Sequence, residues 1–235
     1  MIDFFLKDNT DFIPFSLQHL VVILSFAFFG FLLIQYAKKQ HHSKQILIGN
    51  IFAISITVAI LLGVIIKLYK GNFDYQKDLP LHLCSFLGLL LPIFSTTRKY
   101  LFYEVFLFLI LAGTSQAILT PDEKNFHNYP FYRYWFVHIG LVIFMFYATI
   151  IYNMKPTLKS VFKAFIGMQI YMILMFCLNA VLGSNYFFTN RKPDAKTLLD
   201  VFGDWPYYVF VVELMVIPYF LLIYLPFYLS SKRKL

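Results

Sequence analysis

Charge is scarce in this chain: Asp, Glu, Lys and Arg make up 14% of its 235 residues while hydrophobic residues make up 60%, too little polar surface to wrap a water-soluble domain. Cysteine is nearly missing. Cys84 and Cys177 are the two present, both inside apolar stretches and neither in a CxxC motif, which argues against a structural disulfide and leaves the redox compartment unread. Internal repeats are lacking, and so are GxGxxG and GxxxxGK[ST], which sets nucleotide chemistry aside. A signal peptide is not expected either. Met1 to Phe15 carries Asp3, Asp8 and Asp11 with only Lys7, without a basic start or a small-residue cleavage site, so the first apolar run is expected to remain as a helix.

What the chain does have is apolar length. Seven runs of about 18 to 25 residues, each suited to a hydrocarbon core of roughly 30 Å, lie near Leu17–Ala37, Ile46–Leu68, Leu79–Phe94, Tyr100–Leu119, Phe131–Tyr152, Val161–Leu182 and Tyr207–Leu229. The expected fold is all-α, a polytopic integral membrane bundle of about seven helices forming a single domain over residues 1–235. Aromatic residues reach 20%, as suits helices packed in lipid with rings at the headgroup level. Mean hydropathy is +0.68. In the third and shortest run, Asp78 followed by Leu79-Pro80 reads as an N-cap with proline in the first turn, and Pro92 marks a place where that helix can stop.

The net charge of +8 in a soluble chain would suggest nucleic acid. Here the basic residues cluster beside apolar runs, at Lys38-Lys39, Lys44, Arg98-Lys99, Lys155, Lys159 and Lys232-Arg233-Lys234, so nucleic acid is not an expected partner. Connections bearing Asp74, Asp78, Asp122, Glu123, Asp194, Asp200 and Asp204 alternate with them. The positive-inside rule then places the N-terminus outside and the C-terminus in the cytoplasm. The longest connection, Ser184–Pro206, falls outside, and long polar loops more often carry function than scaffold.

An ionisable or amide side chain within a span is costly and usually faces the bundle interior. Counting about 1.5 Å per residue from the outer helix ends, His19, His82, Cys84, Gln116, His138, Asn179 and Glu213 share the outer half of the bilayer. Residues scattered only for packing have no reason to share one depth, so the layer suggests a polar cavity; taken singly, each reads as an ordinary interhelical hydrogen bond. Asn50, Glu104 and Lys163 lie nearer the cytoplasm and read as packing residues. Cys84 is the thiol near an outer helix end, where a helix N-terminus favours thiolate, although a small buried hydrophobe is the plainer reading of it. His82, two residues away, is about 200° around a helix from it, which makes His138 the more natural base, with Glu213, Gln116 or His19 to orient it. Zinc ligation by His82, Cys84, His138 and Glu213 lacks the support of an HExxH or HxxxH pair, and no metal or other cofactor is expected. His127 lies in an outer loop and reads as structural or as a lid.

Leu79-Pro80-Leu81-His82-Leu83-Cys84, Ala112-Gly113-Thr114-Ser115-Gln116-Ala117 through Thr120-Pro121-Asp122, and Phe136-Val137-His138-Ile139-Gly140 resemble the YwaF-type bacterial integral membrane proteins. Asn185-Tyr186, Lys192-Pro193, Leu198-Leu199-Asp200, Asp204-Trp205-Pro206-Tyr207 and Leu225-Pro226-Phe227 extend the resemblance over nearly the whole chain. That family is similar at a distance to an animal seven-helix family containing a cysteine-dependent phospholipid acyltransferase. The resemblance implies a multi-pass protein of the bacterial cytoplasmic membrane, with membrane phospholipid as partner. It also implies acyl transfer through a thioester at Cys84, with His138 or His82 as base and His19, Gln116, Asn179 and Glu213 around the substrate. A transporter or a small-solute-binding membrane protein is the alternative reading of the same polar layer. Protease added to intact cells is expected to cut within residues 184–206 and to spare residues 38–45; the opposite pattern inverts the orientation.

Overall fold

The computed structural model describes residues 12–121, 126, 128–193 and 197–232. Among these residues seven α-helices follow one another: α1 (Leu17–Lys38), α2 (His42–Tyr69), α3 (Leu83–Thr97), α4 (Tyr100–Leu119), α5 (Tyr129–Ile150), α6 (Leu158–Leu182) and α7 (Tyr207–Lys232). Two 3₁₀ turns, Tyr186–Phe188 and Leu198–Phe202, lie in the connection before α7, and the described residues contain no strand. Six of the helices are long and apolar enough to cross a bilayer, while α3, with 15 residues, is shorter.

The burial pattern is that of a protein whose outer solvent is hydrocarbon. α5 is the central helix, packed against α1, α2, α3 and α4, and its Trp135, Phe144 and Tyr147 are wholly buried. α6 lies against α4, and α7 against both. On the outside, Phe28 of α1 and Leu222 of α7 expose about 61% and 63% of their surfaces, a loss in water but none in lipid. The chain is a polytopic helical membrane protein.

Local chemistry sets the helix ends. Asn128 caps α5 by accepting the Phe131 amide at 3.1 Å, with Pro130 in the first turn, where its missing N–H costs nothing. Thr157 and Ser160 form a reciprocal capping box at the start of α6. The Glu104 carboxylate, buried on α4, accepts Ser160 Oγ at 2.8 Å and Lys163 Nζ at 2.5 Å, and Asn50 accepts Ser95 Oγ at 2.7 Å. Asn50, Glu104 and Lys163 thus join helix to helix.

α3 departs from expectation at both ends. Asp78 is not its N-cap: the Asp78 carboxylate instead accepts the Asp74 amide at 2.9 Å and pairs with Lys67. Residues 79–82 form a turn, and the helix starts at Leu83 with His82 at the cap position. Nor does the helix stop after Pro92. It continues to Thr97, and the Gly88 carbonyl that Pro92 cannot serve accepts the Thr57 hydroxyl of α2 at 2.7 Å. Gly88 also lets the two helices close up, since a Cβ there would stand 2.4 Å from Ile60 Cδ1.

Thr57→Val should remove that interhelical bond and lower the unfolding temperature in detergent, a loss on the order of 1 kcal/mol, while Thr57→Ser should retain it. Equal melting of the three proteins would show that the bond contributes nothing to stability.

Candidate functional site

The late start of α3 changes the surroundings of Cys84. The thiol now belongs to the first helical turn, where backbone amides have no intrahelical acceptor and the partial positive charge favours thiolate. It is half-buried. A Cβ added to Gly113 of α4 would stand 3.8 Å from Cys84 Sγ and 3.3 Å from Leu83 Cδ2, so the α4 backbone runs directly beside the thiol. On α6, Tyr171 lies close enough to interact electrostatically with Cys84, and its hydroxyl donates to the Leu81 carbonyl.

The depth of His138 follows from how α5 is held against α4. The Tyr134 hydroxyl of α5 donates to the Ala117 carbonyl of α4 at 2.8 Å, which fixes the register of these two antiparallel helices. One turn deeper on α5 is His138, and one turn deeper on α4 is Gly113, so His138 lies level with the turn that flanks Cys84. His138 Nδ1 faces the Tyr134 carbonyl at 2.8 Å. A carbonyl can only accept, so Nδ1 carries the proton, and in the neutral ring Nε2 holds the lone pair that a general base needs. Gln116 lies three residues beyond Gly113 on the same helical stripe.

The other residues of the polar layer do different work. His19 is buried; its Nδ1 accepts the Phe15 amide at 3.0 Å and its Nε2 donates to the Ile118 carbonyl at 2.7 Å, which ties α1 to α4. Asn179 is also buried and uses its full capacity. Its Nδ2 donates to the Tyr186 carbonyl and Thr189 Oγ1, and its Oδ1 accepts Ser184 Oγ and the Tyr186 amide, so it folds residues 184–189 against α6. Glu213 of α7 accepts Gln169 Nε2 of α6 at 2.5 Å. The His82 ring lies against Tyr186 and Phe188, with centroids at 5.1 and 5.2 Å. The helical spacing of about 200° does not apply to it, because His82 has extended backbone and precedes the first turn. His127 lies outside the described residues. Among the described residues, no group of three or more His, Cys, Asp and Glu side chains could hold a metal ion.

Two tyrosines outside the expected polar layer hold the site in place. Tyr186 donates to the Tyr75 carbonyl at 2.7 Å and accepts the Leu79 amide at 3.0 Å, joining the two connections at this end of the bundle. Burial pushes its phenol above the ordinary value and nearby Asp78 and Asp74 add to the rise, against the lowering effect of the Leu79 amide bond. It therefore stays protonated and able to donate. Tyr171 secures the other half of the 79–82 turn. Nothing in the sequence separates Tyr171 from the other tyrosines among the chain's 17, and Tyr186 stands out only within the Asn185-Tyr186 pattern of the resemblance, whereas Gln169, an amide in the middle of an apolar run, is a readable signal.

Beside the thiol, an apolar groove of about 270 Å³ opens between α3, α4 and α6, with Leu83, Leu87, Leu90, Val105, Leu109 and Tyr171 among its walls. Leu83, which lines the groove, packs with Cys84 against the same Gly113, and Tyr171 lines the groove from α6. Cys84 itself is not one of the groove's walls; it follows directly on Leu83, which is.

Because His19 and Asn179 join backbone segments, His19→Ala and Asn179→Ala should each lower the unfolding temperature in detergent, whereas Cys84→Ala should leave it close to wild type. An unchanged melt for Asn179→Ala would remove its assignment as the clamp of residues 184–189.

No curated protein and no solved structure matches the chain. The family model described as the TMEM164 family matches residues 14–224, which takes in all of the site and reaches into α7. The site and the bundle that holds it are therefore those of a family member: the chain belongs to the TMEM164 family.

Proposed function

We propose that this protein transfers fatty acyl groups between membrane phospholipids through a thioester on Cys84. The observation that carries the reading is the position of that thiol: in the first turn of α3, beside the Gly113 turn with which His138 is level, and next to Leu83, a wall of an apolar groove. The resemblance to YwaF-type proteins, and through them to an animal cysteine-dependent acyltransferase family, points the same way. Such a protein works as a multi-pass enzyme of the cytoplasmic membrane.

In the first half-reaction His138 Nε2 takes the Cys84 proton and the sulfur attacks the carbonyl carbon of a phospholipid ester. The first-turn amides of α3 face the oxygen that gains negative charge. The bond between carbonyl carbon and glycerol oxygen then breaks, the leaving oxygen takes the proton from the imidazolium, and a lysophospholipid departs. In the second half, His138 removes a proton from the hydroxyl of an acceptor lysophospholipid, the oxygen attacks the thioester carbonyl carbon, the bond between that carbon and sulfur breaks, and the imidazolium returns the proton to the departing thiolate. The sequence balances without redox chemistry or a cofactor. Gln116, on the Gly113 stripe, positions the substrate, His82 is the second choice of base, and His19, Asn179 and Glu213 shape the walls.

The rival reading, a transporter or solute-binding protein, draws on the same polar layer. It is disfavoured because His19 and Asn179 have their polar atoms engaged by the protein itself.

A fatty-acyl activity probe should label the purified protein in lipid, and both Cys84→Ala and His138→Ala should lose more than nine-tenths of the label. Labelling that survives in Cys84→Ala, or that is missing from wild type, would move the assignment to the solute-binding reading.

A further inference from the structure

We infer that the groove between α3, α4 and α6 receives the acyl chain while its carbonyl is at Cys84, and that Gly167 sets the length of chain the groove accepts. The inference takes its chemistry from the thioester reading and adds the chain's path. The groove begins at Tyr171 and at Leu83, the residue before Cys84, and runs along α3 to Leu90, about 10 Å of helix. Along α4 it follows Val105 and Leu109 toward Phe102 and Lys99, in the direction of the opposite end of the bundle. Its walls over that course are apolar, and it opens sideways, where a bilayer supplies hydrocarbon chains. A linear apolar occupant that starts at a nucleophile is a fatty acyl chain.

Moving a chain from lipid into such a groove gains no hydrophobic free energy, because lipid tails are already as apolar as leucine. Selection among chains must therefore come from shape. Gly167 is the one place on the α6 wall without a side chain, one turn from Tyr171 on the side away from the thiol. A Cβ there would stand 2.9 Å from Val105 Cγ1 of the facing wall. α6 and α4 therefore touch at this point, and a larger residue at 167 has to turn its side chain out into the groove, across the path toward Phe102 and Lys99 and away from the end at Leu83.

The test compares wild type, Gly167→Leu and, from the α3 wall, Leu90→Trp, reconstituted in phosphatidylcholine vesicles. Acylation of Cys84 by butanoyl and hexadecanoyl thioester donors is read by intact mass. At least one variant should retain butanoyl labelling, which reports an intact fold, and lower the hexadecanoyl-to-butanoyl ratio at least tenfold. An unchanged ratio in both variants overturns the inference. A second readout does not depend on acylation: phosphatidylcholine with a diazirine at mid-chain is photolysed and its adducts are mapped. Adducts at Leu90 or Val105 should fall several-fold in Gly167→Leu while those at Leu24 and Phe28 of α1 stay constant. If adducts do not change, the groove assignment fails even where Cys84 is acylated. If no donor acylates wild type but the adducts do change, the thioester reading fails and the groove as a chain site stands.

Discussion

A backbone amide or carbonyl inside a bilayer has no water to turn to, and this constraint bears hardest on the turn at residues 79–82. Because α3 begins only at Leu83, the turn before it is drawn down toward the apolar part of the bundle, and its polar groups need protein partners. The Leu79 amide is met by the Tyr186 hydroxyl and the Leu81 carbonyl by the Tyr171 hydroxyl. These two bonds bring α6 and the following connection against the start of α3. The position of Cys84 beside Gly113 follows from them, and so do the upper walls of the groove. Thr57 meets the same requirement farther along, where Pro92 leaves the Gly88 carbonyl open.

Residues 184–189, after α6, brace this arrangement. Asn179 folds residues 184–189 back over the helix end, Trp205 Nε1 donates to the Thr189 carbonyl at 2.9 Å, and Tyr208 donates to the Phe188 carbonyl. Gln76 adds a bond to the Leu182 carbonyl at 2.9 Å from the connection after α2. One set of side-chain-to-backbone bonds therefore fixes Tyr186 and, with it, the turn that leads to the thiol. The long polar connection serves the site indirectly, by building its support.

Much of this architecture was legible in the sequence, because apolar length decides it. Six of the seven helices begin and end within a few residues of the apolar runs, since a lipid-spanning run has few ways to be anything else. α3 was the exception for a physical reason. Asp78-Leu79-Pro80 satisfies the local rules for a helix start, but Lys67 and the Asp74 amide compete for the Asp78 carboxylate, and that competition is tertiary. The polar layer shows the same limit. Depth could be counted from the sequence, but partners could not, so His19 and Asn179 looked equivalent to His138 although their atoms join backbone segments. The register of α4 against α5 depends on one hydroxyl, that of Tyr134, and no spacing rule announces it.

The shortness of α3 also bears on the membrane itself. A helix of 15 residues rises about 22 Å, less than the roughly 30 Å of a typical hydrocarbon core. Its six longer companions can tilt to suit a thicker or thinner bilayer, but α3 is tied at one end by two phenols and at mid-length by Thr57. Phospholipid esters move outward as a bilayer thickens, while the start of α3 stays where the protein holds it. The protein is thereby matched to one thickness of membrane, and the lipid composition around it becomes a control on how readily any ester can meet the thiol.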